Sequence, residues 1–282
     1  MKHWGKKIFG ISLLLFVLGA SGLVWLFSKQ EYFSFSLAQI DEQRTIQETF
    51  TSLNLTTDTA DVVVTPSQLP TASVRLLGEA NENQKESLQF VTEVTPDGTL
   101  KVEVQEKLHI NLFFPVNGRL QIQVLLPEKT YEKIVVQTAT GDIKTGILTA
   151  KEAKISSSTG DVELDGFTGE KLDIRTDTGD MKLAGVRSAL EINSSTGEID
   201  SLVLPELAHD VSIRTDTGDV RVKAEKQPTA AKLELSTDTG SIKTSWSPLS
   251  YEEKEEHQVK ASVGTGGPTL TVESSTGDIR IQ

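Results

Sequence analysis

Apolar and polar residues alternate along most of the chain after residue 45, and the alternation restarts at each copy of a short Thr-Gly-Asp phrase. Apolar residues stand seven and five positions before each glycine and two after it, as Leu172, Ile174 and Met181 do around Gly179. Side chains two residues apart share one face of a strand. Each copy therefore predicts a strand, a bend and a second short strand, with the apolar faces inward.

Glycine holds the bend position in seven copies, and Thr59-Ala60-Asp61 is an eighth copy with alanine there. Glycine accepts a positive φ angle, and Asp and Thr side chains bond to nearby backbone amides in turns. Successive glycines are 18 to 22 residues apart, except the last two, which are 37 apart. Such a period is typical of stacked repeats that bury a shared core. The predicted structural turn glycines are Gly141, Gly160, Gly179, Gly197, Gly218, Gly240 and Gly277.

These patterns predict an all-β fold, in which residues 131–282 form a β-solenoid of short parallel strands, a right-handed single-stranded β-helix. A β-sandwich or a meander of hairpins is the alternative. Residues 45–130 are strand-rich but less regular, and we expect them to pair with the first coils as an irregular N-terminal β cap. Residues 245–268 interrupt the repeat, either as an insertion on the working face or as one degenerate coil.

The last strand, Ile279–Gln282, follows the final bend directly. A strand edge without a partner is free to pair with another chain. We therefore expect either self-association through this strand or its capping by the insertion.

An uncharged, mostly apolar run extends from Ile8 to Phe27, after Lys2, Lys6 and Lys7. A helix of this length, at about 1.5 Å per residue, crosses a hydrocarbon core of roughly 30 Å. The basic residues before it predict a cytoplasmic N-terminus. We interpret residues 1–7 as a cytoplasmic tail, 8–27 as a transmembrane anchor and 28–44 as a spacer, with the rest outside the cell membrane. A signal peptide cleaved near Ala20 is the alternative.

Charge and composition narrow the classes of partner. The net charge of the 282-residue chain is −12, and an acidic surface repels nucleic acid. A protein or a cell-wall polymer is the expected partner. The chain has no cysteine, which excludes a disulfide framework and a lipid-modified cysteine anchor.

Two bends carry paired carboxylates, Asp177 with Asp180 and Asp216 with Asp219. Stacked carboxylates would suit a cation such as Ca²⁺, but the same residues are common in turns, and turn chemistry is the preferred interpretation. We predict no metal and no cofactor. Paired acids also suit polysaccharide cleavage, yet acids that recur in every copy are not typical of one catalytic site. The sequence therefore predicts no catalytic residue and no enzyme.

Trp246 lies in the insertion and is the exposed aromatic residue expected to contact a partner. An aromatic side chain that is exposed on a soluble domain is a common centre of protein contacts.

The N-terminal anchor, the Leu125-Leu126-Pro127 strand end and the repeated Thr-Gly-Asp units resemble the β-strand-repeat family of putative adhesins, formally of unknown function. That family includes LiaG-like membrane proteins of Gram-positive cell-envelope stress operons. The resemblance covers residues 45–282 and rests on the number of copies. It implies an extracytoplasmic β-repeat domain linked to the cell envelope, and it supplies no catalytic residue.

The sequence thus predicts a membrane-anchored interaction or scaffold module. An accessory role in envelope-stress sensing follows from the resemblance alone. A polysaccharide-active β-helix enzyme is the disfavoured alternative.

Overall fold

The computed structural model describes residues 37–81, 87–106 and 119–282, with helical residues 12–22 and the single positions 10, 25 and 85. From residue 37 onward the described chain forms 21 strands, joined in one hydrogen-bonded sheet. The strands are β1 (Leu37–Ile46), β2 (Ser52–Thr57), β3 (Asp61–Ser67), β4 (Ala72–Asn81), β5 (Leu88–Val94), β6 (Thr99–Glu106), β7 (Leu120–Pro127), β8 (Tyr131–Thr140), β9 (Ile143–Thr159), β10 (Val162–Thr178), β11 (Met181–Ala184), β12 (Val186–Thr196), β13 (Ile199–Glu206), β14 (Val211–Thr217), β15 (Val220–Lys226), β16 (Ala231–Thr239), β17 (Ile242–Thr244), β18 (Ser250–Lys254), β19 (Gln258–Val263), β20 (Thr269–Thr276) and β21 (Ile279–Ile281).

Successive copies of the repeat lie on one another as parallel strands. In the pairing of β9 with β10, Ile143 lies beside Val162 and Ile155 beside Ile174, so this coil repeats the previous one 19 residues later. Strands before each bend pair with strands before the next bend, and strands after it do likewise. This parallel pairing confirms the all-β solenoid and rules out the sandwich or hairpin meander.

The stack therefore has two sides, which we name by their position relative to the bends. The pre-bend side contains, in spatial order, β5, β6, β2, β8, the second parts of β9 and β10, β12, β14, β20, β16, β19 and β18. The post-bend side contains β1, β4, β7, β3, the first parts of β9 and β10, β11, β13, β15, β21 and β17.

The core lies between the two sides, where the apolar positions of the repeat meet. Burial alternates along the strands, as in β14, where Val211 and Ile213 are buried and Ser212 is half-buried. Residues two positions after the bend, such as Val162 and Ile199, close the core from the post-bend side. One apolar column per strand position thus runs through the whole stack and supplies most of its stabilising buried area.

The stack begins before residue 131. β2 lies between β6 and β8, and β3 lies between β7 and β9, all in parallel. Residues 52–67 therefore form a coil inside the stack, because they surround the eighth copy of the phrase at Ala60 and carry the same apolar frame. Among the described strands at this end, β1 pairs antiparallel with β4, β4 with β7 and β5 with β6, and these pairs end the stack.

At the other end of the stack, as at the first, the spatial order of the strands differs from their order along the chain. β20 lies between β14 and β16, and β21 lies between β15 and β17. The expectation that the last strand has a free edge is therefore wrong, because residues 231–244 form the outer coil and leave an inner position that the C-terminal coil fills. The residues between, predicted as an insertion, contain β18 and β19, which pair antiparallel beyond β16.

The N-terminal residues are described only in part. Residues 12–22 are helical, and Leu14, Phe16 and Leu18 are exposed on this helix. Within the residues that the structure describes, no helix is long and apolar enough to cross a membrane. The predicted tail, both ends of the predicted anchor at 8–27 and residues 28–36 of the predicted spacer lie outside the described residues. Residues 37–44 of that spacer belong to β1 instead.

The inner position of the C-terminal coil predicts a large cost for Leu270→Ala. Leu270 is 0% exposed, and truncation of a fully buried leucine costs about 2 to 5 kcal/mol of unfolding free energy. The matched control is Leu69→Ala, because Leu69 is 58% exposed and should change stability by less than about 0.5 kcal/mol. Urea unfolding of the full chain measures both. Similar small losses in the two variants would contradict the inner position.

Candidate functional site: the Thr-Gly-Asp bends and the strand faces

Each bend glycine packs directly on the backbone of the preceding bend. At Gly160 the φ angle is +143°, and a Cβ atom there would lie 2.1 Å from the carbonyl oxygen of Gly141. The Gly160 N–H in turn donates to the carbonyl of Thr178 at 2.9 Å. No side chain fits this approach, so glycine is required. The same backbone contact recurs at Gly141, Gly179, Gly197, Gly218, Gly277 and Gly240.

The aspartate after the glycine joins one coil to the next. The amides on either side of it donate to backbone carbonyls of the following coil, whereas its own N–H points back to the preceding coil. There a carboxylate accepts it: the Asp161 N–H donates to Asp142 Oδ1 at 2.9 Å, and the Asp180 N–H donates to Asp161 Oδ1 at 2.8 Å. Equivalent bonds run from the N–H groups of Asp142, Glu198, Asp278 and Ser241 to the carboxylates of Asp61, Asp180, Asp219 and Asp278, respectively.

In four copies, a buried hydroxyl three positions before the bend glycine completes this arrangement by donating to a bend carbonyl. The Ser157 hydroxyl donates to the Gly141 carbonyl at 3.2 Å, and that of Thr237 donates to the Gly277 carbonyl at 3.0 Å. This role was not predicted from the sequence, although every copy has Ser or Thr there. The buried residues are Thr57, Thr138, Ser157, Thr176, Ser194, Thr215, Thr237 and Ser274.

The four candidate cation ligands divide into two pairs with different surroundings. Asp177 and Asp216 are exposed at the bend surface. Asp180 accepts the Glu198 N–H at 2.8 Å, and Asp219 accepts the Asp278 N–H at 2.9 Å while its other oxygen lies 3.1 Å from Arg280. Within the described part of the chain, no three acidic or histidine side chains come together in a group that could hold a metal ion. The carboxylates of Asp180 and Asp219 thus serve the stacking of the coils.

A network of charged side chains covers the post-bend side near the C-terminal coil. Arg221 lies 3.2 Å from Glu198 and 2.5 Å from Asp200, and Arg280 lies 2.6 Å from Asp278. Hydrogen bonds from the Ser241 backbone and hydroxyl, with the charge of Arg280 beside them, hold the pKa of Asp278 below its ordinary value. Since these side chains are partly exposed, solvent screens each pair and its contribution to stability is small.

Trp246 is buried in the core, with only 5% of its surface exposed. The prediction that it is an exposed aromatic residue is therefore wrong. The residue directly before it, Ser245, donates its N–H to the Ile281 carbonyl at 2.9 Å, which holds this segment against the inner coil. Trp246 thus closes the core beyond β17.

A groove of about 430 Å³ crosses the outer face of the pre-bend side. Small side chains of Ala189, Ser212 and Thr271 line it. Longer side chains stand beside them, where Lys171 lies 3.2 Å from Glu191 and Arg214 lies 2.8 Å from Glu273. The surface therefore offers hydroxyls and both signs of charge.

The stacking of the bends predicts that Gly160→Ala is strongly destabilising. The variant meets both the strained φ angle and the Gly141 carbonyl, so we expect a loss of about 3 kcal/mol or more in unfolding free energy. Gly266→Ala is the matched control, because Gly266 also has a positive φ angle but no atom lies within 4 Å of its added Cβ. We expect about 1 kcal/mol there. Equal losses by chemical denaturation would show that coil contact is not the cause.

The lowered pKa of Asp278 predicts how stability depends on pH. Its ionised form is favoured in the folded state, so the stabilisation is present above the unfolded pKa, about 3.9, and is lost as the pH falls through the lower folded pKa. Asp278→Asn removes this contribution. The difference in Tm between the two proteins should therefore shrink between pH 6 and pH 3. A difference that stays constant or grows would contradict the assignment.

Solved structures with similar folds come from several bacteria. A protein from Clostridium sporogenes described as a "putative cell adhesion protein" is 14% identical, with a TM-score of 0.40, over 86% of this chain and 99% of its own. A "putative adhesin" from Bacteroides fragilis is 12% identical, with a TM-score of 0.47, over 88% and 98%. A "putative lipid binding protein" from Parabacteroides distasonis is 19% identical, with a TM-score of 0.41, over 86% and 97%. No curated protein matches the sequence.

The family comparison agrees with the repeat architecture. One family model matches the chain twice, over residues 50–187 and 131–282, which together include the whole stack from β2 to β21. The chain belongs to the Toastrack DUF4097 family.

Proposed function

We propose that this protein is a scaffold module, anchored in the cell membrane by residues 8–27, that presents its β stack outside the cell to a protein or a cell-wall polymer. The observation that carries the proposal is the engagement of the repeated polar groups. Carboxylates such as those of Asp142 and Asp161 accept backbone amides of the neighbouring coil, and the buried hydroxyls of Ser157 and Thr237 donate to backbone carbonyls. The repeated polar groups hold the coils together, so we assign partner binding to the outer faces of the stack.

The same engagement weighs against the enzymatic alternative. A glycosidase needs one carboxylate as an acid and a second as a base or nucleophile at a single place. Here the carboxylates after the glycines recur along the stack, and Asp142, Asp161 and Asp180 each accept the equivalent amide in the next coil. Such acids are equivalent in role, so none is set apart for catalysis.

Exposed apolar side chains support the anchor. On the described helical residues 12–22, Leu13, Leu15 and Phe16 have more than half of their surface exposed. A helix that is apolar on every side needs a lipid or protein environment. The preceding lysines favour a cytoplasmic N-terminus, which directs the stack outward.

The groove on the pre-bend side is the surface that we assign to the partner. It is concave and holds both charged and hydroxyl groups around Ser212, a combination suited to hydrogen bonding with a sugar polymer or a polar peptide. The resemblance to LiaG-like proteins extends the proposal to an accessory role in the envelope stress response.

Three single-cysteine variants test the orientation and the groove together, since the natural chain has no cysteine. Ser212→Cys lies in the groove, Ser156→Cys is its matched control outside the groove on the same side, and Lys6→Cys reports on the tail. With a maleimide that does not cross membranes, we expect Ser156→Cys to react in intact cells and Lys6→Cys only after permeabilisation. Ser212→Cys should react more slowly in cells than in the purified protein, because a partner covers it.

Two results would overturn the proposal separately. If both serine variants react only after permeabilisation, the orientation is wrong. If Ser212→Cys and Ser156→Cys show the same ratio of reactivity in cells and after purification, the groove does not contact the partner.

A further inference from the structure

Four strands end the two sides of the stack: β5 and β18 on the pre-bend side, β1 and β17 on the post-bend side. Among the described residues, each pairs along one edge only. Charged residues and short length protect most of these edges from pairing with other chains. β17 has three residues, β18 carries Glu252 and Glu253, and β1 carries Asp41 and Glu42. β5 has seven residues and a single charge, Glu93, so it is the least protected edge.

The hairpin geometry shows which backbone groups of β5 point outward. The Thr95 N–H donates to the Thr99 carbonyl at 2.9 Å, in register with the Val94 and Leu100 pair. Bonded and non-bonded pairs alternate along antiparallel strands. Glu93, Val91 and Gln89 therefore bond to β6. The outward peptide groups are those of Leu88, Phe90, Thr92 and Val94.

We propose that a second copy of this chain pairs with β5 in antiparallel orientation, about a two-fold axis at Val91. In this register Phe90 lies opposite Thr92 and Leu88 lies opposite Val94, so all four outward peptide groups of each strand are bonded. The two Val91 side chains lie opposite each other. The pre-bend sides of the two copies become one continuous sheet.

The strand is self-complementary in this register. Its single charge, Glu93, lies opposite the neutral Gln89 of the other copy, so no two like charges face each other. Val91, which is 36% exposed, gains an apolar neighbour on the outer face. Leu88, Phe90 and Val94 are partly buried against the core, and the second strand extends the apolar layer beside them. Cross-strand pairs of this kind stabilise sheets.

Oxidative cross-linking of the full chain in membranes tests the two-fold axis. Residues in a non-bonded antiparallel pair have Cα atoms about 4.5 Å apart, which is within the range of a disulfide. Val91→Cys should therefore form a dimer that a reductant dissociates. Tyr251→Cys is the matched control, because Tyr251 lies on the β18 edge and is 43% exposed. It should stay monomeric at the same concentration.

The charge at position 89 tests the register. In the Val91→Cys background, Gln89→Lys faces Glu93 and should raise the dimer yield at low oxidant about threefold to tenfold, whereas Gln89→Glu should lower it by a similar factor. Gln89 is exposed, so neither change touches the core. Sedimentation of the same two variants with Val91 retained should give the same order of dimer stability.

The proposal fails if Val91→Cys and Tyr251→Cys cross-link equally, or if Val91→Cys reacts with maleimide yet stays monomeric. It fails equally if dimer yield and sedimentation ignore the charge at position 89. None of these outcomes depends on the groove or on the orientation of the stack in the membrane.

Discussion

The structure depends on the close approach of backbone to backbone at the bends. The Cα atom of each bend glycine packs on the carbonyl group of the preceding bend, as Gly160 does on Gly141. This contact sets the spacing at which one coil lies on the next. This contact leaves no room for a side chain at the glycine. Other residues of the repeat support the contact: the Asp142 carboxylate accepts the Asp161 amide of the next coil, and the Ser157 hydroxyl donates to the Gly141 carbonyl.

The sequence predicted the coil but not the order of the coils. The apolar frame around each glycine is local, so the strand, the bend and the inward face could be inferred from neighbouring residues. The spatial order of the coils at the two ends could not be inferred, because the coil at 52–67 and the coil at 269–281 have the same apolar frame as every other copy. Because the apolar frames are alike, they do not determine which two copies become neighbours in the stack. That order consists of pairings between strands far apart in sequence, such as β2 with β8 and β14 with β20, which local patterns do not record.

The residues of the candidate site were likewise predicted only where the signal is local in sequence. The bend glycines and carboxylates were visible in the sequence, because turn chemistry requires particular residue types. The groove around Ser212 was not, since it is formed by small side chains on three coils, one of which is distant in sequence from the other two. Trp246 was misplaced for a related reason: an aromatic residue beside Pro248 and a charged stretch suggests an exposed loop, but the end of the core needed a large apolar side chain.

The central claim is that carboxylates of one coil hold the amides that follow the bend glycines of the next, as at Asp161 and Asp180, and hydrogen exchange tests it most directly. The Asp161 and Asp180 amides lie at the surface of the bend, where an amide without a partner exchanges quickly. The account predicts that in Asp142→Ala the Asp161 amide exchanges much faster, while the Asp180 amide, still bonded to Asp161, keeps its protection. Fast exchange of both amides already in the natural protein would contradict it.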